Sequence, residues 1–163
     1  MPAQQDSLAL KSSPTEAPLP GAAIEVAEGV LWARMPLPFR LNHVNIWILA
    51  DDDGWTVIDC GVATAQNGAA WDALVAGPLR GKPVRRIIAT HGHTDHIGCA
   101  GPLVKRFACA FAMTHTEWLT ATLRVWEGTN APADQHRTFF IRHGCPEESL
   151  ADFSDDRRRI VDC

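Results

Sequence analysis

Short runs in which apolar and polar residues alternate open the patterned part of the chain. This alternation has the period of two that is typical of half-buried strands. Two turns rich in acidic residues and glycine, Glu28-Gly29 and Asp52-Asp53-Gly54, separate the runs and favour tight connections between them. The pattern therefore predicts four strands joined as two hairpins, over residues 24–27, 30–35, 43–50 and 55–59.

After residue 63 the pattern changes to longer amphipathic segments and short apolar runs. Helices are predicted over residues 64–76, from about 98–101 to 107, over 116–126 closed by Gly128, and over 132–143 closed by Gly144. Pro102 fits only the first turn of its helix. The apolar runs 84–90 and 108–113 predict strands, the second covered on both faces. Strand, helix and strand in this order predict a parallel crossover.

Composition and charge narrow the functional classes. Of the 163 residues 46% are hydrophobic, which is typical of a globular chain, and the formal charge of −4 offers no basic surface for nucleic acid. No apolar run reaches the roughly 20 residues that span a bilayer, so we expect no membrane partner and a cytoplasmic location. Residues 1–21 lack periodicity and predict a disordered leader before a folded unit over 22–163. The five cysteines contain no Cys-x-x-Cys pair, and we expect them to be reduced.

The candidate chemistry is concentrated in six positions that follow the strand predicted over 84–90. His91, His93, Asp95 and His96 are all side chains that bind zinc and similar divalent ions. Alternation in an extended segment places His91 and His93 on one side, where they can share an ion. Asp95 and His96 are adjacent and can bind a second ion nearby. A chance histidine cluster on a solvated loop lacks the preceding strand and the interposed carboxylate. The spacing therefore predicts two neighbouring metals.

The motif resembles the His-x-His-x-Asp-His signature of the metallo-β-lactamase-fold hydrolases. The stretch from Thr56 to Gly61 is similar to the family's other early signature, a strand that ends in Asp-x-Gly. The resemblance implies an α+β fold, the first half of an αββα sandwich in which helices pack on a mixed β-sheet. It also implies that Asp59 is a buried acidic residue beneath the metal centre.

The function that this resemblance implies is metal-dependent hydrolysis of an ester, thioester, lactone or lactam bond in a small-molecule substrate. Two zinc ions are the expected cofactors, and iron and manganese accept the same ligands. His91 and His93 would hold the first ion, and Asp95 and His96 the second. Asp95 would also orient the attacking water or accept its proton, as the catalytic residue.

The chain departs from the family after the first motif. His115, His136 and His143 follow it, and none has the sequence context of the family's later ligands. The resemblance covers about residues 22–150, so we expect the N-terminal half of such a domain. The alternative is a catalytically incompetent fragment with a partial metal site. It would bind metal weakly and could self-associate through the exposed face of the half sandwich.

Two further sets of residues lie near the predicted site. His115 follows an apolar run at the carboxyl end of a predicted strand, where it could contact substrate. Trp47, Trp55 and Trp118 could line a pocket, although core packing is the usual use of tryptophan. Cys60 and Cys99 flank the two signatures, but nothing in their neighbourhood indicates a reactive thiol.

Overall fold

The structure is a computed structural model that describes residue 14 and residues 16–38, 40–130 and 133–147, without the side chains of 127–130 and 133–136. Most of the predicted leader, residues 1–13 and 15, lies outside the described residues. At its end Pro18 is buried, and Gly21 lies against Ala73. Within the described ranges no helix has the length and apolar character needed to cross a membrane.

Six strands form one mixed sheet whose spatial order is the order of the sequence. The strands are β1 Ala23–Ala27, β2 Val30–Pro36, β3 His43–Asp51, β4 Gly54–Ile58, β5 Val84–Ile88 and β6 Ala110–Ala112. The first four pair antiparallel, and β4, β5 and β6 pair parallel. The helices are α1 Ala65–Ala76, α2 Thr94–Ile97, α3 Ala100–Phe107, α4 His115–Asn130 and α5 Ala133–Arg142. The predicted hairpins, the predicted parallel crossover from β5 to β6 and the α+β class are confirmed.

One face of the sheet carries the core. Alternate residues of the strands point to the side where α1 and α3 pack, and Ile46, Ile48, Val57 and Ile87 are completely buried there. Trp71 of α1 fills the space between the layers and is 1% exposed. The sheet holds β4 and β5 side by side, with their carboxyl ends at the same edge.

The helix after β4 begins and ends where local chemistry dictates. The hydroxyl of Thr64 accepts a hydrogen bond from the backbone N–H of Asn67 at 3.2 Å, which satisfies one of the free donors of the first turn of α1. The helix ends at Ala76, before Gly77 and Pro78, because Pro78 disfavours helical backbone at the residue before it. The prediction for this helix is confirmed to within one residue.

The opposite face of the sheet carries a half-exposed apolar row. Trp32, Trp47, Ile58 and Ile88 are successive register partners across β2 to β5. The two tryptophan rings stack with centroids 6.5 Å apart, and Trp47 remains 39% exposed. Self-association through this face stays a prediction.

The structure corrects four details of the sequence analysis. Strand β5 ends at Ile88, so His91 lies in a bend beyond it, while His93 has extended backbone and directly precedes α2. Residues 94–97 form a short helix that the pattern did not predict. Strand β6 is exposed at all three positions, because it is the edge strand and packs α3 only along part of its length. Helix α4 continues through Gly128 to Asn130, since a glycine inside a helix costs only about 1 kcal/mol.

Candidate metal centre

Backbone hydrogen bonds join the two sequence signatures into one structural unit. The N–H of Asp59 donates to the carbonyl of Ile88 at 2.8 Å, which continues the β4–β5 pairing beyond the strands. The N–H of Cys60 donates to the carbonyl of His96 at 2.8 Å, and that of Cys99 donates to the carbonyl of Gly61 at 2.9 Å. The backbone of each signature is therefore fixed by the other signature.

Asp59 is the centre of this unit and is 5% exposed. Its backbone is left-handed, with φ of 61°, a conformation that aspartate and asparagine tolerate better than most residues. Its carboxylate accepts hydrogen bonds from the N–H of Thr90 at 2.8 Å, from the Thr90 hydroxyl at 2.8 Å and from His96 Nδ1 at 2.8 Å. The predicted place of Asp59 beneath the cluster agrees with these contacts.

The hydroxyl of Thr90 decides the tautomers of the first two histidines. Its single proton is donated to Asp59, so the contact of 3.0 Å to His91 Nδ1 requires His91 to be the donor. His91 Nε2 then carries a lone pair and accepts from His93 Nδ1, at 3.0 Å. This assignment leaves Nε2 of both rings without a proton, which is the form of imidazole that binds metal ions.

His96 lies between two carboxylates. Its Nδ1 donates to Asp59 at 2.8 Å, and its Nε2 is 3.4 Å from Asp95 Oδ2. The hydrogen bonds to Asp59 and then to Asp95 raise the pKa of His96 to about 9, against the opposing effect of burial. The hydrogen bond from His96 is also the main cause that lowers the pKa of Asp95. Burial disfavours the charge of Asp59, but hydrogen bonds from His96 and Thr90 hold its pKa below the usual value.

Helix α4 contacts the loop that carries the first two histidines. The N–H of Gly92 donates to Glu117 Oε2 at 2.8 Å, and Arg124 donates to the Gly92 carbonyl at 3.4 Å. Burial lowers the pKa of His93, and the nearby guanidinium of Arg124 lowers it further. Both effects favour the neutral form of the His93 ring.

The side chains of this cluster are of the kinds that bind divalent metals, but they are not arranged as a complete ligand set. The rings of His91 and His93 have centroids 4.6 Å apart, and those of His91 and His96 are 4.0 Å apart, so all three lie in one small volume. No group of three His, Cys, Asp or Glu side chains within the described residues is arranged to hold an ion. The ring nitrogens are engaged by other side chains: both nitrogens of His96 face carboxylates, and His91 Nε2 pairs with His93 Nδ1.

An apolar cavity of about 310 Å³ is bounded by residues of α2, α3, β6 and α4. Ile97, which directly follows His96, forms one wall, and Trp118 and Ala121 of α4 form another. Trp118 is 51% exposed, so core packing is the wrong interpretation for this tryptophan. His115, the predicted substrate contact, is exposed at the start of α4 and stacks on the Trp118 ring with centroids 6.4 Å apart.

The structure adds three polar residues that the sequence analysis did not single out. Thr90 connects Asp59 to His91, and Glu117 and Arg124 hold the peptide between His91 and His93. Thr90 directly precedes the motif, and this adjacency is a signal that could have identified it. Glu117 and Arg124 are 25 and 32 residues from Gly92, and no local pattern reveals that contact.

Replacing Asp59 with Asn should lower the pKa of His96 from about 9 towards its ordinary value of 6.5, because Asp59 is the largest cause of the shift. Asparagine keeps the left-handed backbone and most of the shape of Asp59, so the change tests charge and not packing. An NMR titration of the His96 ring in the metal-free protein measures the effect. Thr64→Ala, which removes the N-terminal cap of α1 and no charged group, is the control and should leave this pKa unchanged.

The same variant should change how stability depends on pH. The folded-state pKa of His96 is raised above 6.5, so its contribution is fully present below pH 6.5 and is lost as the pH rises through about 9. We expect the metal-free wild type to lose stability across that interval and Asp59→Asn to show a flatter profile. Urea unfolding at a series of pH values measures this, and identical profiles would contradict the assignment.

Comparison with known proteins agrees with this architecture. The family model described as the metallo-beta-lactamase superfamily matches residues 40–162. The chain is 32% identical over 73 residues to the probable metallo-hydrolase YybB of Bacillus subtilis (strain 168), an alignment that covers 45% of this chain and 30% of that protein.

Solved structures show the same fold. A beta-lactamase domain protein from Burkholderia ambifaria superposes with a TM-score of 0.69 at 37% identity, over 80% of this chain and 39% of that chain. A metallo-beta-lactamase family protein from Thermus thermophilus gives a TM-score of 0.62 at 26% identity, over 80% and 42%. The chain thus spans less than half the length of each of these relatives. Since the family model covers most of its residues, the chain belongs to the metallo-beta-lactamase superfamily.

Proposed function

We propose that the chain carries the metal-binding part of a metal-dependent hydrolase that uses water to cleave an ester, thioester, lactone or lactam bond. The observation that carries this proposal is the convergence of His91, His93, Asp95 and His96 in one loop at the carboxyl end of β5, above the buried Asp59. A relative that carries the name of a probable metallo-hydrolase supports the same reaction class.

Each residue of the cluster would have a distinct role. His91 and His93 would hold a first ion through their unprotonated Nε2 atoms, and the ion would replace the hydrogen bond from His93 Nδ1 to His91 Nε2. Thr90 and Asp59 would keep the His91 ring in that tautomer. The chemistry that a bound divalent ion supplies is Lewis acidity, which lowers the pKa of water towards neutrality. Asp95 is ionised at neutral pH because its pKa is lowered, so it could orient water or accept its proton.

The second ion would use Asp95 and His96. His96 shares protons with two carboxylates, so binding there must displace a proton from the ring. Zinc is the ion that best fits imidazole and carboxylate donors together, and iron or manganese would use the same residues. The apolar cavity beside Ile97 would receive an apolar part of the substrate.

A weaker metal-binding module without turnover is the second candidate. It is favoured by the absence, among the residues that the structure describes, of three donors arranged to hold one ion. Catalytic zinc usually keeps three protein ligands, and a two-histidine site binds less tightly. The two candidates differ in affinity and in turnover, and one set of measurements separates them.

The double variant His91→Ala/His93→Ala should weaken zinc binding by more than about 100-fold, because it removes ligands and not only their supporting contacts. Zinc content after dialysis and a chelator competition measure the loss. His143→Ala is the matched control, since His143 follows the end of α5 and bonds the carbonyl of Phe139. Equal zinc content in the double variant and the wild type would refute a metal site here.

A panel of ester, thioester, lactone and lactam substrates then tests catalysis. Zinc-dependent turnover that is lost in the double variant and kept in His143→Ala would establish the hydrolase. Histidine-dependent zinc binding with no turnover on the whole panel would favour the second candidate. Addition of zinc at 100 times its dissociation constant should also stabilise the wild type by about 2.7 kcal/mol, as measured by unfolding.

A further inference from the structure

The loop between His91 and His93 is held from outside by one helix. Gly92, the residue between the two histidines, is buried, and both polar groups of its backbone are engaged by α4. Its N–H donates to the Glu117 carboxylate at 2.8 Å, and its carbonyl accepts from Arg124 at 3.4 Å. Two side chains of opposite charge thus hydrogen-bond to the two polar backbone groups of a single residue.

The contact surface on α4 is one continuous face. Glu117, Ala121 and Arg124 are spaced by four and three residues, so they lie one above another on the helix. The backbone of Gly92 packs against the middle of this face. A Cβ atom at residue 92 would lie 3.0 Å from the Glu117 carbonyl oxygen and 3.1 Å from the Ala121 Cβ. Any side chain here would require the helix to shift by a few tenths of an ångström, so glycine favours this close approach.

These two hydrogen bonds to α4 matter because the β-sheet makes no strand pairing with the Gly92 backbone. Strand β5 ends at Ile88 and α2 begins at Thr94, and the strand pairings in the described part of the chain stop short of Gly92. Without these contacts the distance between the His91 and His93 side chains would vary widely. An ion that both side chains bind would then have to order them on binding. Contacts that order ligands in advance commonly change metal affinity by about 10 to 100-fold.

We propose that Glu117 and Arg124 are positioning residues for the metal site: by fixing the Gly92 backbone, α4 sets the separation of His91 and His93 and thereby the affinity for zinc. This inference rests on the proposed function, since it requires those histidines to bind a metal. It assigns to α4 a role in ion binding that does not depend on a ligand from the helix.

Two substitutions at one position separate hydrogen bonding from charge. Glu117→Ala removes the acceptor for the Gly92 N–H, and Glu117→Gln removes the charge but keeps a carbonyl acceptor. Both lose the favourable interaction of a carboxylate with the first turn of α4, so this electrostatic effect on the helix is matched. We expect zinc to bind about tenfold more weakly to Glu117→Ala and within about threefold of wild type to Glu117→Gln.

The second readout does not involve metal. In the zinc-free protein the Gly92 amide should exchange with deuterium faster in Glu117→Ala than in Glu117→Gln or the wild type, because its hydrogen bond is lost. Should Glu117→Ala fail to fold, Arg124→Met provides a second test, because it removes the hydrogen bond to the Gly92 carbonyl. We expect a loss of about threefold in zinc affinity.

The outcomes distinguish the two proposals. Histidine-dependent zinc binding that is unchanged in Glu117→Ala would overturn the positioning role and leave the metal site intact. Equal losses in Glu117→Ala and Glu117→Gln would also overturn it, because the charge and not the hydrogen bond would then be responsible. A wild type without histidine-dependent binding would overturn both proposals.

Discussion

Replacing Trp71 with Ala is expected to lower the free energy of unfolding by about 3–5 kcal/mol. The side chain is 1% exposed and contacts the Phe107 ring edge-on, with centroids 6.3 Å apart, so the smaller residue leaves a cavity between α1, α3 and the sheet. Its Nε1 also donates to the carbonyl of Cys60 at 3.0 Å, and the variant loses this buried hydrogen bond. For a domain with a typical stability of about 5–15 kcal/mol this loss is large.

Trp47→Ala is the matched control for this prediction. It removes the same side chain from the 39% exposed position on the open face, where less apolar area is buried. We expect its cost to be under half that of Trp71→Ala. Urea unfolding followed by far-UV circular dichroism avoids the loss of a fluorescent reporter. Equal costs for the two variants would show that the core does not lie between α1 and the sheet.

Gly98→Ala is expected to destabilise the chain by about 1–3 kcal/mol, the usual cost of forcing an extra carbon into a packed site. The new Cβ would lie 2.5 Å from the carbonyl oxygen of Thr94 and 2.9 Å from the Cα of Val62. Both are backbone atoms that cannot rotate away. The segment that carries Asp95 and His96 must therefore move away from the loop after β4.

This displacement has a local consequence that separates it from general instability. His96 should lose its contact with Asp59, so its pKa should fall from about 9 in Gly98→Ala. Gly68→Ala is the control, because Gly68 lies inside α1 with nothing within 4 Å of its added Cβ. There alanine should stabilise the helix by about 0.5–1 kcal/mol. A Gly98 variant as stable as Gly68→Ala would contradict the packing described here.

Much of the fold could be predicted because its signals are local. Alternation identified the strands, and the turn residues between them placed both hairpins within one or two residues of the observed bounds. The metal motif was recognisable because its four side chains lie within six positions. The structure brings these side chains close together and places Asp59, which the family resemblance implied, at the end of the neighbouring strand.

The remaining features depend on contacts between distant segments. The exposure of β6 follows from its place at the sheet edge, and periodicity cannot distinguish an edge strand from a central one. Glu117 is an ordinary acidic residue in the first turn of a helix until the helix is packed on Gly92. The hydrogen bond from His96 to Asp59 likewise requires two residues 37 positions apart to meet.

The parallel pairing of β4 with β5 also has a consequence for how the chain folds. The meander of β1 to β4 joins neighbours in sequence and can form early, whereas the Thr90–Asp59 bond closes a loop of 31 residues. Before that closure the Thr90 hydroxyl has not met Asp59, so its proton does not yet fix the tautomer of His91. The pairing of β4 with β5 must therefore be complete before the end of β4 can order the loop that carries the histidines of the proposed metal site.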